Sequence, residues 1–217
     1  MKYNLIVFAI CLFCLLCLLW YNRSTQYDPC RVFQRIETEN GTIEIVDERC
    51  QEGLPHTSDA NTIRMTQARY NSPNLDTLLT HERIHLEQKR NPDRWRSFYK
   101  HVWGYDLLNQ APPSIPSSYT RRVRPNPDTA DSPWAVWNNR YVFFPVFGEQ
   151  GTLRSATVCI WDLKEQTEVG IPEAWKSYFC DGERCPHQYE HPHELSAEYK
   201  ASKFPSQASN DFFQYTM

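Results

Sequence analysis

Three residues of this chain stand in an order that carries chemistry. Within Leu79-Thr80-His81-Glu82-Arg83-Ile84-His85-Leu86 two histidines sit four positions apart, and Glu82 follows the first. On a helix that spacing puts both imidazoles on one face, about one turn apart, where they can share a metal ion. Glu82 then lies on the adjoining flank, where it reaches a water on the metal rather than the metal itself. Zinc lowers the pKa of such a water towards about 7, and a neighbouring carboxylate accepts its proton. The order ligand, base, two spacers, ligand is what metal-assisted hydrolysis needs. The plain alternative is a solvated helix face that happens to carry two histidines.

A catalytic zinc usually takes three protein ligands and a water. The third has to come from elsewhere, and the segment FCDGERCPHQYEHPHELSAEYKAS, residues 179–202, is the richest source. Glu194 is the first choice. It follows Pro192 and opens a helix, where the helix dipole tolerates a carboxylate. Glu198, one turn on, is placed to hold a free ring nitrogen of His81 or His85. His187, His191 and His193 are alternative ligands, and Cys180, Cys185, His187 and His191 could form a structural zinc site of their own.

The elements that must position these residues are legible in outline. Ser72 can cap a helix, Pro73 suits its first turn, and Leu75, Leu78, Leu79 and Leu86 recur at helical spacing, so a helix is expected over residues 73–90. A second is expected over 92–105 with Trp95, Phe98, Tyr99 and Val102 as its apolar stripe, and a third over 193–204. Residues 32–46 alternate apolar and polar around Asn40-Gly41, the pattern of a hairpin. Residues 62–65 and the runs within 134–162 read as further strands. Residues 109–132 are rich in Pro, Ser and Arg and form a long irregular segment, a common carrier of function.

His81-Glu82-x-x-His85 with Glu194-x-x-x-Glu198 resembles the gluzincin group of zincin metallopeptidases. Pro192-His193-Glu194-Leu195-Ser196-Ala197 is similar to a P-x-E-x-x-A signature of small zincins whose first motif reads H-E-x-x-H-x-x-Q, and Gln88 supplies that Gln here. The resemblance covers residues 73–104 and 190–203. It implies one zinc per chain held by His81, His85 and Glu194, Glu82 as general base, and a peptide or protein substrate. The fold it implies is α+β and zincin-like: an active-site helix, a second metal-ligand helix and β-hairpins. The rival from another class is an anchored binding or structural module with a non-catalytic zinc site.

Tyr199 is a candidate donor to the oxyanion formed when a carbonyl is attacked. Arg124 and Asn126 are candidates to bind a substrate carboxylate or carbonyl, with ordinary loop and turn chemistry as the alternative.

Composition bounds the rest. A chain of 217 residues supports one ordinary core. A net charge of -3 offers no broad basic field for nucleic acid. The uncharged run Leu5 to Trp20 just reaches membrane-spanning length. The expected organisation is a transmembrane anchor or signal segment at 1–21, a stalk at 22–30, the metallohydrolase domain at 31–204 and a flexible tail at 205–217. The localisation expected is single-pass, with the body lumenal or extracellular. Sequons at Asn22 and Asn40 favour that side, as do the bridges expected between Cys30 and Cys50 and between Cys180 and Cys185. Cys159, in a strand-like run, is expected to be a buried thiol.

Overall fold

The computed structural model describes residues 30–123, 126–148, 151–152 and 155–216. Strand β1 (Val32–Thr38) turns at Asn40-Gly41 into β2 (Gly41–Val46), as the alternating pattern leads one to expect. Gly41 has φ +134°, and a Cβ there would lie 2.2 Å from the Asn61 carbonyl oxygen, so only glycine fits this turn. Past a 3-10 turn at Cys50–Gly53 come β3 (His56–Thr57) and β4 (Thr62–Thr66). The first sheet has the order β1-β2-β4-β3, with β2 and β4 parallel.

A short helix α1 (Gln67–Tyr70) leads into the long helix α2 (Leu75–Arg90), which begins two residues later than expected. Helix α3 (Pro92–Phe98) continues through a π-helical turn, Tyr99–Trp103, and stops at Gly104. Strand β5 (Tyr105–Leu108) opens the second sheet, and the turn α4 (Ser117–Thr120) interrupts the irregular segment after it. Strands β6 (Trp134–Trp137), β7 (Tyr141–Val146), β8 (Thr157–Asp162) and β9 (Thr167–Val169) complete an antiparallel meander. Helices α5 (Glu173–Phe179), α6 (Pro192–Ser202) and α7 (Gln207–Thr216) follow.

The second sheet is covered on both faces, and period-two alternation sorts its side chains. Ala135, Trp137, Phe143 and Ile160 join the helices in one aromatic core. Trp134, Val136, Val142, Phe144, Cys159 and Trp161 face the other way. The irregular segment covers that second face with Ile115, Tyr119 and Val123, so it is partly core rather than a free loop. A third, aliphatic cluster joins Ile43, Ile45, Ile63 and Met65 of the first sheet to Leu79 and Leu86 of α2.

Both expected disulfides are present, Cys30–Cys50 and Cys180–Cys185, and Cys159 is a buried free thiol. Two disulfides fit an oxidising environment, extracellular or lumenal. Two expectations are corrected. The architecture is α+β, but the transmembrane helix, and with it the single-pass topology, is not borne out. Among the described residues no helix is long and apolar enough to cross a membrane, and α2, at 16 residues, is amphipathic, with charges from Asp76 to Arg90. The span expected at 1–21 and the stalk up to residue 29 lie outside the described residues. The tail is not flexible: most of it is α7, because Ala208, Phe212 and Tyr215 recur at helical spacing and the first two are fully buried.

Candidate metal centre

Helices α2 and α6 pack against each other. His81 and His85 project from α2 and Glu194 from the first turn of α6, and the three form a group that could hold a metal ion. The Nε2 atoms of the two histidines are 3.0 Å apart, and Glu194 Oε2 lies 3.3 Å from the first and 3.4 Å from the second. Ligands on a tetrahedral zinc at 2.0–2.1 Å are separated by about 3.3 Å. The three donor atoms therefore stand at the spacing of one face of such a tetrahedron. His85 and Glu194 are buried, while His81 is the rim of the group.

The donors are fixed by their neighbours. His85 Nδ1 donates to Gln88 Oε1 at 2.8 Å, which leaves the Nε2 lone pair free to bind. The Gln88 amide in turn donates to Ser196 Oγ (2.8 Å), Tyr99 Oη (3.0 Å) and the His193 carbonyl (3.1 Å). One residue thus fastens the ligand helix α2 to α6 and to the aromatic core. Asn126 Nδ2 donates to Glu194 Oε1 at 2.8 Å, leaving Oε2 turned to the histidines. Asn126 is held by its own Oδ1, which accepts from the Asp128 amide. Asp128 accepts from Lys89 Nζ of α2 and from Thr57 of β3.

Glu82 is 4 % exposed, and among the described residues its Oε2 has no hydrogen-bond partner. Such an orphan is costly unless a ligand or water completes it. Burial pushes its carboxyl up to about 8, against the pull of His85; Asp128 and Glu194 add to the rise. A cation at the triad would favour its ionised form. Without a cation at the triad, burial opposes charge on His85, but Glu194, Asp128 and Glu82 outweigh it and push the imidazole up to about 10, so a metal that binds there displaces the Nε2 proton. Burial likewise works against the Glu194 carboxylate, and the facing imidazoles still hold it well below the usual range.

The triad and Glu82 line a cleft of about 850 Å³. Leu54, Leu78, Pro145, Phe147 and Val158 give it apolar walls, drawn from the loop before β3, from α2 and from the second sheet and the residue after β7.

Several expected roles fall elsewhere. Glu198 does not reach the histidines: its carboxylate accepts the His187 and Gln188 amides at 3.0 and 2.8 Å. Tyr199 is fully buried and donates to the Phe179 carbonyl, so it is a core residue and not an oxyanion donor. Helix rotation accounts for Tyr199, which at about 100° per residue stands about 140° round from Glu194, on the far face. Glu198 shares the Glu194 face, but one turn on its carboxylate is taken by the two backbone amides. Arg124 lies outside the described residues, and Asn126 braces Glu194.

His191 caps α6 through Nδ1 and donates Nε2–H to the Ser132 carbonyl. His193 donates to the Asp128 carbonyl. Burial lowers both, His193 to about 4, and neither joins the triad. The Cys180–Cys185 bridge removes the thiolates that the separate structural zinc site needs. Lys89, Asp128 and Ser196 are brace residues that sequence reasoning missed. A signal was present only for Ser196, two positions past the ligand in the P-x-E-x-x-A stretch.

Fold and site together define an α+β protein with a metal-competent His-His-Glu triad. No protein-family model, curated protein or solved structure matches the chain, so the site rests on its own geometry.

Proposed function

We propose that this chain is a zinc-dependent hydrolase, and among hydrolases a peptidase, with His81, His85 and Glu194 as metal ligands and Glu82 as general base. The observation that carries this reading is the orphaned Oε2 of buried Glu82, which lines the same cleft as the triad. When bound, zinc supplies Lewis acidity, which makes water a nucleophile near neutral pH and polarises a carbonyl. Glu82 Oε2 accepts the proton released there and returns it to the leaving amine. Gln88 keeps His85 in the binding tautomer, and Asn126 keeps Glu194 turned inward.

Ligand number favours the enzyme over a structural zinc module. Structural sites are closed by four protein ligands, whereas three leave a position open. Among the described residues no fourth histidine, cysteine or acid joins the triad. The peptide substrate is supported by the resemblance of the two motifs and by a cleft of about 850 Å³ with apolar walls beside the triad. Glu82→Gln tests the reading. It should keep one zinc per chain and lose casein cleavage by on the order of 10²–10⁴-fold. A variant as active as the parent would overturn the assignment.

A further inference from the structure

The cleft holds an acid that the proposed mechanism does not use. Glu190 lines it, half-buried, and among the described residues no side chain pairs with its carboxyl. The other carboxylates of the cleft are committed. Asp128 is neutralised by Lys89, Glu194 faces the histidines, and Glu82 is the proposed base. Burial, with the Glu194 and Glu198 charges added and His85 opposing, pushes the Glu190 carboxyl up to about 8.

The backbone around it is held on both sides. Glu198 takes the His187 and Gln188 amides, and the His191 ring is fixed to the Ser132 carbonyl. The Cys180–Cys185 bridge closes the loop upstream. Glu190 is therefore presented to the cleft from a braced segment, four positions before the metal ligand.

We propose that Glu190 receives a cationic group of the substrate, so that the cleft selects peptides carrying a lysine or arginine near the bond to be cleaved. This rests on the peptidase reading. An ion pair in a half-buried wall is worth more than one in open solvent, because water screens it less. A free amino terminus offers the same charge, and the probes must separate the two sources.

The test is calorimetric titration of the zinc-loaded full chain with acetylated alanine–serine heptapeptides. Each carries one lysine, or norleucine as its uncharged match, moved along the sequence, and a further set has a free amino terminus. Lysine at one inner position should bind on the order of fivefold to tenfold tighter than norleucine. Glu190→Gln should abolish the difference, and Glu190→Arg should shift it to glutamate peptides. Glu183→Gln, an exposed acid of the same loop outside the cleft, should leave it intact. Equal binding of the lysine and norleucine series, or a preference that survives Glu190→Gln, would overturn the proposal. A preference seen only for the free amino terminus would overturn the side-chain assignment. Cleavage without lysine preference sinks this inference alone. A Glu190-dependent preference with no cleavage of any peptide sinks the peptidase reading instead.

Discussion

The two helices that build the metal centre are backed by different cores. Helix α2, with two ligands, rests on an aliphatic cluster of Ile43, Ile45, Ile63, Met65, Leu79 and Leu86. Helix α6, with one, rests on an aromatic core that includes Trp103, Phe179, Tyr199 and Phe212. Aliphatic side chains fill space without fixing direction, whereas interlocked rings are larger and orient one another. The histidine pair needs little from its core, since helical spacing alone sets its geometry. Glu194 is 109 positions from His85 and meets it only if α6 is held in place. The aromatic core and Gln88 provide that hold.

If this contrast is right, the aromatic side should be the more sensitive. Trp103 is buried edge-on against Tyr199 of α6, with ring centroids 5.7 Å apart. Trp103→Ala should cost about 4 kcal/mol of stability, and Leu86→Ala about 3 kcal/mol. Denaturant unfolding checks both, and the contrast breaks if Leu86→Ala is the worse of the two.

The next effect is at the bolt between the helices. Gln88→Ala removes the acceptor for His85 Nδ1 and the link to Ser196. Zinc affinity, read by chelator competition, should fall about 10–100-fold. Gln88→Glu restores an acceptor and should recover part of it. Asn126→Ala frees one oxygen of Glu194 and should weaken zinc by about tenfold, at the lower end of such losses. An unchanged affinity would show that the aromatic core alone positions Glu194.

A smaller effect belongs to the second sheet, away from the metal. Arg140 donates to Asp162 from Nε and Nη2 and holds its carboxyl at about 2, below the ordinary 3.8. A depressed carboxylate stabilises the fold fully above about pH 3.8, and that contribution is lost as pH falls through about 2. The Asp162→Asn variant should therefore lose less stability than the parent between pH 4 and pH 2. Parallel curves would remove Asp162 from the acid response.

What the sequence displays of this design is its local part. The Asn40-Gly41 turn, the α2 periodicity and H-E-x-x-H are each short-range patterns with one dominant physical cause. Glu194 was legible because a proline and a small residue mark the start of a helix in close approach. The braces were not. Asn126 and Asp128 lie far in the chain from their partners Glu194 and Lys89 and carry no periodic signal, and their role depends on where the irregular segment crosses α2. Closeness in sequence to Glu194 points to Glu198 and Tyr199, but the loop before α6 captures the Glu198 carboxylate and rotation of the helix turns Tyr199 into the core. The chain end reads as a tail because termini are commonly unordered, although Ala208, Phe212 and Tyr215 share a helical stripe.

The most direct test is zinc K-edge X-ray absorption on the zinc-loaded full chain, with metal content measured on the same sample. The expected result is one zinc per chain bound by two imidazoles, one carboxylate and an additional oxygen at about 2.0–2.2 Å. A sulfur ligand, a closed set of four protein donors, or stoichiometric zinc retained unchanged in Glu194→Ala would contradict it.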